Sequence, residues 1–344
     1  MTTDINSIRE QYLSLKASQP KLRIRDAATK IGVSEAQLLA SGVGEKVIRL
    51  SGPWENLLRR LPALGHVMAL TRNEHCVMEH KGIFKKVNVS AHATTVIGPI
   101  EARVFHNEWH TGFAVEDTNS LGKKLTSLQF FDREGTAITK IYLQPDSIWE
   151  AYEALVKDFS AQDQSAKVEV AAYPEPEYAK EIDKKAFRGA WLALKDTHQF
   201  HGLLNKFNVS RYDALLFAGQ DLAQKVKVDG VAELLKNAAD EQLPIMIFVG
   251  NRGNIQIHQD VVERIVEMED WLNVMDADFN LHLRIKEVDE VWVVRKPTRD
   301  GIVTSVELFD TNKELITRIF GLRKPGKPEL KEWHALVERL QPLL

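Results

Sequence analysis

The sequence contains one pattern twice, and this duplication limits what the chain can fold into more than any other feature. The segment LTSLQFFDREGTAITKIY at 125–142 aligns without a gap with VTSVELFDTNKELITRIF at 303–320, at an offset of 178 residues. Seven of the eighteen pairs are identical, and several others keep an apolar residue opposite an apolar residue. Each segment alternates apolar and polar residues around a central turn, so each predicts a β-hairpin.

The similarity extends to both sides of the hairpins. Lys30–Ser34 resembles Lys206–Ser210 at an offset of 176, and Trp149 and Trp333 are expected to begin the closing helix of each half. Strands that are grouped together, rather than alternating with helices, predict antiparallel sheets and an α+β class. A polar, proline-rich stretch near the middle of the chain predicts a linker. We therefore predict an N-terminal repeat unit, a linker and a C-terminal repeat unit at 1–165, 166–182 and 183–344.

Length and charge restrict the function classes. The chain has 344 residues, more than one hydrophobic core usually organises. Its net charge of −3 provides no global positive field, so nucleic acid is an unlikely partner. Met1–Lys16 lacks a signal-peptide pattern, and no stretch has the ~18 consecutive apolar residues of a membrane span. With Cys76 as the single cysteine, we expect a cytoplasmic protein without a membrane anchor.

Several local patterns have a structural and a functional interpretation. The segment 24–39 resembles a DNA-binding helix-turn-helix, but it offers mainly Gln37 for base contacts, which favours a structural helix pair. His106 and His110 have the spacing of a zinc helix without the acid at the required position. His75 and His80 lie near the cysteine, and His75 is the candidate for a weak second site.

The strongest local feature is Trp191–Ala214, WLALKDTHQFHGLLNKFNVSRYDA. His198 and His201 are three residues apart on a predicted helix, so they are expected to share a face. Imidazole is a common iron ligand, and an apolar wall suits a porphyrin. By pattern alone, a helix with two half-exposed histidines remains the simpler interpretation. The neighbours expected to supply the apolar wall are Phe200, Leu203, Leu204 and Phe207.

Across essentially the whole chain, the sequence resembles a known family, the bacterial cytoplasmic heme-binding proteins called hemin-degrading factors (the HemS/ChuS/PhuS group). The resemblance implies two large antiparallel β-sheets, stacked with flanking helices, and heme b held between the halves. It implies a monomer or a homodimer. Four segments together carry the resemblance: Arg72–Cys76, Asp196–Phe200, Val291–Thr298 and Phe320–Gly326.

The family's residues carry over position by position. The axial histidine matches His198, and His201 matches a second histidine, a possible alternative ligand, that only some members have. The distal arginine near the sixth iron position matches Arg103. Where relatives are expected to have Tyr and Gln, this chain has Phe320 and Arg318, so a hydroxyl is lost and a cation is gained. The remaining heme-contacting positions match Arg211, Phe248, Lys296 and Arg323.

The resemblance implies two functions from different classes. One is a carrier that takes imported heme, in iron acquisition, to a heme oxygenase or another acceptor. The other is a heme oxygenase-like enzyme that opens the porphyrin, in which Arg103 would be catalytic. The sequence has no flavin or nicotinamide fingerprint, so the electrons of such an enzyme must come from elsewhere. Trafficking is favoured because two histidines on one face would allow ligand exchange during transfer.

Overall fold

A computed structural model describes residues 5–118, 122–324 and 326–343, so Pro325 of the fourth resemblance segment lies outside it. The helices are α1 Ile5–Ser18, α2 Ile24–Ile31, α3 Glu35–Ala40, α4 Trp54–Arg60, α5 Trp149–Phe159, α6 Lys184–Leu192, α7 Gln199–Phe207, α8 Arg211–Ala218, α9 Gly230–Asp240 and α10 Lys331–Val337. Short 3-10 helices occupy Leu61–Leu64, His106–Glu108 and Ile285–Glu287. None of the described helices is long and apolar enough to cross a membrane.

The strands of the first half are β1 Val47–Leu50, β2 Gly65–Arg72, β3 Cys76–Gly82, β4 Lys86–Val89, β5 Thr94–Ile97, β6 Glu101–Val104, β7 Thr111–Thr118, β8 Lys124–Phe131 and β9 Ala137–Ser147. Those of the second half are β10 Ala223–Val226, β11 Ile245–Gly250, β12 Asn254–Asp260, β13 Ile265–Met268, β14 Trp271–Met275, β15 Phe279–Arg284, β16 Glu290–Thr298, β17 Gly301–Phe309 and β18 Leu315–Gly321. The helices and strands follow the same order in both halves.

The strands form two nine-stranded antiparallel sheets. One has the order β1-β7-β8-β9-β2-β3-β15-β14-β13, and the other β10-β16-β17-β18-β11-β12-β6-β5-β4. Each sheet takes six strands from one half of the sequence and three from the other. The predicted α+β class, with two large antiparallel sheets and flanking helices, is confirmed. Both predicted hairpins are present as β8–β9 and β17–β18, each with a register shift near its turn.

The chain divides into two compact units. The first comprises Met1–Arg72, Glu79–Pro174 and Gly250–Gln256, and the second comprises Asn73–Met78, Glu175–Val249 and Ile257–Leu344. Between α5 and α6 the chain is irregular over 162–183, which includes the predicted linker. Of the two predicted closing helices, α5 begins at Trp149, whereas α10 begins two residues before Trp333.

In the second unit, alternation along the strands supplies apolar side chains to both faces of the sheet. On β16, Val291 and Val293 pack in a core with α9 and α10. Trp292 and Val294 point the other way, into a core with α6, α7 and α8. Successive side chains of a strand point to opposite faces, so a nearly continuous apolar run indicates a sheet covered by helices on both sides. The face towards α6–α8 carries the candidate site.

The helix pair of the first half is structural. Helix α3 has only six residues, and most of them are buried. Gln37 closes a capping box with Ser34 and also donates to the carbonyl oxygen of Val168. The one base-reading candidate is thus held by the fold, which agrees with the structural interpretation of this segment.

Candidate functional site

His198 lies at the entrance of α7. The helix begins at Gln199, so His198 is its N-cap, with a helical backbone conformation and a side chain that is 85% exposed. Its Nδ1 bonds Oδ1 of Asp196 at 2.6 Å, and its backbone N–H donates to the same oxygen at 2.8 Å. A carboxylate on Nδ1 favours the tautomer that carries its proton there and leaves a lone pair on Nε2. The local turn thus prepares Nε2 as a metal ligand.

Asp196 is correspondingly held as a carboxylate. The hydrogen bond from the backbone of His198, followed by the one from its side chain, lowers the pKa of Asp196. Arg323, which lies just beyond β18 and is partly exposed, adds to the lowering by its positive charge. Arg323, predicted as a contact residue, is therefore in electrostatic range of the Asp196–His198 pair.

His201 is exposed on α7 and already has a partner. The side-chain amide of Asn205, one turn further along the helix, donates to Nε2 of His201 at 3.2 Å. This nitrogen would have to leave Asn205 before it could bind a metal. His198 is thus the better prepared of the two imidazoles.

The apolar residues expected to surround the two histidines face the interior of the protein. Phe200, Leu203 and Leu204 are buried under α7, and Phe207 is partly buried. Phe200 packs edge-on against Trp191, with ring centroids 4.6 Å apart. A helix this short has one inner face, and the apolar residues occupy it. They fix α7 on the sheet instead of lining a ligand surface.

Beneath α7 lies a buried carboxylate, Glu307 of β17, which the sequence analysis did not single out. Nη1 of Arg211, the first residue of α8, donates to both its carboxylate oxygens at 2.8 and 3.0 Å. Nζ of Lys296 on β16 donates to Oε1 at 2.9 Å. Both cations also lie over the Phe200 ring, at 5.1 and 4.5 Å from its centroid. Two predicted contact residues, Arg211 and Lys296, therefore meet on a single acid.

Arg318 completes this group on β18, directly opposite Glu307 in the strand register. Its Nε is buried without a hydrogen-bond partner among the described residues, and its guanidinium carbon lies 5.2 Å from the Phe248 ring centroid. We call Arg211, Lys296, Arg318 and Glu307 the cation cluster. Three cations and one carboxylate leave a net charge of +2, so the cluster suits an anionic ligand with more than one negative group.

Burial and mutual repulsion are visible in the pKa values of the cluster. Burial, reinforced by the charge of Arg211, lowers the pKa of Lys296 to about 8 and that of Arg318 to about 10. Burial by itself would raise the pKa of Glu307, but the attraction of the three cations outweighs it and holds that pKa far below its usual range. The acid is therefore ionised, and no second carboxylate among the described residues forms an ion pair with the three cations.

Phe248 and Phe320 lie beside the cluster. Their rings pack edge-to-face with centroids 5.2 Å apart, and Phe320 is buried while Phe248 is partly exposed. Phe320 therefore fills a place in the sheet core where a hydroxyl was expected from relatives. The sequence did offer a signal for the missed acid, because Glu307 interrupts an otherwise apolar and small-residue pattern in VTSVELFD.

The family model for the haemin-degrading HemS.ChuX domain matches residues 32–159 and 208–340. The chain belongs to this family. The two matched segments correspond to the two repeats and confirm the tandem duplication. The chain is 38% identical to the hemin transport protein HemS of Yersinia enterocolitica over 337 residues, 97% of each chain.

Solved structures of the family agree with the fold over the whole chain. Holo-PhuS, a heme-binding protein from Pseudomonas aeruginosa, is 43% identical with a TM-score of 0.95, covering 99% of this chain and 100% of that one. The heme degrading enzyme ChuS from Escherichia coli O157:H7 is 32% identical with a TM-score of 0.93, covering 98% and 100%. The family thus contains proteins described as carriers and proteins described as enzymes.

Arg103, which the resemblance predicted as the distal arginine, lies on β6 in the first unit. Its side chain is 37% exposed, and Nη2 donates to Oε1 of Glu101 at 3.2 Å. Nη1 donates to the carbonyl oxygens of Ala102 and Val96 at 3.1 and 3.4 Å. Glu101 and the two carbonyl groups hold the guanidinium, while the side chain as a whole stays partly exposed.

The other histidine candidates lie in separate surroundings. Nε2 of His75 faces Oδ2 of Asp310 at 3.3 Å, and its Nδ1 is buried with no hydrogen-bond partner in the described ranges. His106 is buried against the hydroxyl of Thr94, whereas His110 is exposed. Among the described residues, no three His, Cys, Asp or Glu side chains are grouped as a metal site would require.

Proposed function

We propose that this protein binds one heme b per chain in the cytoplasm, with His198 as the axial ligand, and delivers it to an acceptor protein such as a heme oxygenase. The main support is that one unit holds both an exposed imidazole, oriented by its hydrogen bond to Asp196, and a buried cluster with a net charge of +2. Heme requires both features, because it combines a metal centre with two carboxylates.

The axial side fits an iron porphyrin. With Nδ1 bound to Asp196, the His198 ring presents Nε2 in one tautomer and one orientation, and the carboxylate increases its basicity. Heme supplies the iron and its redox chemistry when bound, while the chain supplies orientation and charge. Since the side chain is 85% exposed, a ligand there would remain accessible to an acceptor. Ready access supports transfer rather than permanent retention.

The anionic side fits the propionates. Two carboxylates would neutralise the surplus charge of the cation cluster, and the buried Nε–H of Arg318 has no partner within the part of the chain that the structure describes. Phe200 lies between the axial side and the anionic side. It follows His198 by two residues on the inner face of α7, and the cations of Lys296 and Arg211 lie over its ring. The relatives HemS, a hemin transport protein, and PhuS, a heme-binding protein, support the proposal that this chain binds heme.

A second candidate function is heme degradation, favoured by the likeness to ChuS, which is described as a heme degrading enzyme. In that case Arg103 would act at the sixth iron position, where its solvent-open guanidinium would hydrogen-bond an iron-bound ligand. The electrons and oxygen would come from outside the chain.

One experiment separates the two functions. The protein is loaded with ferric heme without oxygen, and air, a reductase system and catalase are then added. A carrier keeps its Soret band and transfers heme to apo-myoglobin, whereas an enzyme loses the band and forms a tetrapyrrole product. Failure of wild-type protein to bind heme would refute both. Asp196→Asn should weaken iron ligation about 10- to 100-fold, the effect typical of losing an outer-shell partner of a metal-bound histidine.

A further inference from the structure

The far end of α7 is attached to the linker. The helix ends at Asn208, which has a left-handed conformation with φ 51°. The carbonyl oxygen of Asn208 accepts the backbone N–H of Ala179 at 2.8 Å, and its side-chain Nδ2 donates to the carbonyl oxygen of Glu177 at 3.0 Å. One residue therefore makes two hydrogen bonds to the same linker segment, 177–179.

The equivalent helix end in the first half shows that the Asn208 side chain is not needed for the turn. Gly32 occupies the corresponding position after α2, also left-handed with φ 81°. Glycine adopts this conformation without cost, and it is the residue that helix ends most often use there. Asn208 performs the same backbone task and adds a side chain, and that side chain binds the linker.

The linker is itself held upstream of this contact. In the first unit, the Ala171 backbone N–H donates to the carbonyl oxygen of Arg133 at 2.8 Å, and that of Tyr173 donates to Glu134 at 2.8 Å. Only Pro174, Glu175 and Pro176 separate Tyr173 from Glu177. Proline restricts backbone rotation, so this connection is stiff as well as short.

From these contacts we infer that the linker is a strap that positions α7 through Asn208, and through α7 the imidazole of His198. The effect of this strap on heme ligation rests on the proposed function, whereas the contacts between Asn208 and the linker do not depend on it. Helix α7 has nine residues and a length of about 13 Å, so a shift at one end is carried to the other. Apolar packing beneath α7 is not directional, whereas the two hydrogen bonds define where the helix end lies.

Two variants remove the strap contact while keeping the turn. Asn208→Gly keeps the left-handed conformation and deletes the side-chain bond, and Asn208→Asp replaces the donor by an acceptor facing the Glu177 carbonyl. A purely structural helix cap would be unchanged or stabilised by glycine. A positioning role predicts faster motion of α7, roughly fivefold for the loss of one net hydrogen bond of about 1 kcal/mol. Gly32→Asn, at the equivalent helix end of the first half, is the matched control.

The test uses the full chain with two readouts. Hydrogen–deuterium exchange of residues 199–207 in the heme-free protein should be roughly fivefold faster in both Asn208 variants and unchanged in Gly32→Asn. Heme transfer to apo-myoglobin should accelerate by a similar factor, with an altered ferric spectrum. Unchanged exchange and transfer in Asn208→Gly would overturn the strap, while loss of ligation in His198→Ala would still uphold the proposed function. If wild-type protein binds no heme, the exchange experiment alone decides the strap.

Discussion

Equivalent positions in the two halves carry opposite charges. At the start of α3 the first half has Glu35, which binds Lys140 of β9 and lies 3.9 Å from Arg72. At the start of α8 the second half has Arg211, which binds Glu307 of β17. The same scaffold thus exchanges a helix acid for a helix cation.

The two buried acids differ in the hydrogen bonding of their cations. In the first half the attraction of Lys140, Arg72 and Arg25 outweighs burial and lowers the pKa of Glu35. In the second half Glu307 also faces three cations, and the Nε of one of these, Arg318, is buried without a hydrogen-bond partner among the described residues. Asp196 and His198 stand where the first half has Pro20 and Leu22 at the offset of 176. Equivalent positions of a duplicated fold can therefore carry an imidazole–carboxylate pair in one copy and no such pair in the other.

Removing His198 should have the largest effect on heme binding among the changes that distinguish the two halves. We expect His198→Ala to lose the wild-type ferric spectrum and retain heme in part, because His201 and the cation cluster remain. The double change with His201→Ala should speed transfer to apo-myoglobin at least tenfold further, since no imidazole is left on α7. Titration should show one tight site per chain.

The matched control is His66→Ala in the first half, because Nδ1 of His66 also bonds an aspartate, Asp146, at 2.9 Å. It should keep the spectrum and the transfer rate of the parent. An unchanged spectrum in His198→Ala, or two equal sites that survive it, would contradict the assignment.

Glu307→Gln and Glu35→Gln compare the two buried acids. Each leaves buried cations uncompensated, so each should lower the free energy of unfolding by about 3 kcal/mol in denaturant titrations. Heme should restore stability in Glu307→Gln only, because its carboxylates would replace the missing charge. Equal effects of heme on both variants would show that the cation cluster does not receive the propionates.

The low pKa of Lys296 predicts a pH dependence of binding. As pH rises through about 8, folded Lys296 loses its proton and the cluster charge falls by one, so affinity for a dicarboxylate porphyrin should fall about tenfold by pH 9.5. Iron-free protoporphyrin, followed by fluorescence, isolates this effect from iron ligation. The free energy of unfolding should change in the opposite direction. Because the folded pKa of Lys296 lies below the ordinary 10.5, the unfolded chain binds more protons between pH 8 and 10.5. This group therefore raises the free energy of unfolding as pH increases through that range.

Lys296→Met should abolish the pH dependence of binding between pH 7 and 9.5. Lys140→Met is the control in the first half, because the attraction of Glu35 outweighs burial and raises the pKa of Lys140. If porphyrin binding by the wild-type protein does not vary between pH 7 and 9.5, Lys296 does not contact the propionates.

The smallest effect is expected from Arg103→Ala. If Arg103 serves the sixth iron position, its loss should shift the acid–alkaline transition of ferric heme and leave total affinity nearly unchanged. Spectra recorded against pH measure both quantities. A transition identical to that of the parent would mean that the guanidinium, held by Glu101, has no role at the iron.

The sequence by itself determined the elements and the candidate ligand. Duplication, the α+β class and both hairpins could be predicted because periodicity and turn residues act between neighbours along the chain. The contact between Asp196 and His198 is also local, since the two residues are two positions apart, but it was not among the sequence-based predictions.

Only the tertiary structure decided which charges meet. Phe200 belongs to the apolar face of α7, but the fold determines that Trp191, Lys296 and Arg211 lie against its ring. Arg211 and Glu307 are 96 positions apart, and they meet because strand pairing places β17 under the start of α8. Electrostatic contacts between distant residues depend on the fold and not on sequence neighbours. The role of Glu307 in pairing Arg211 and Lys296 could therefore be recognised only from the packed sheet and helices.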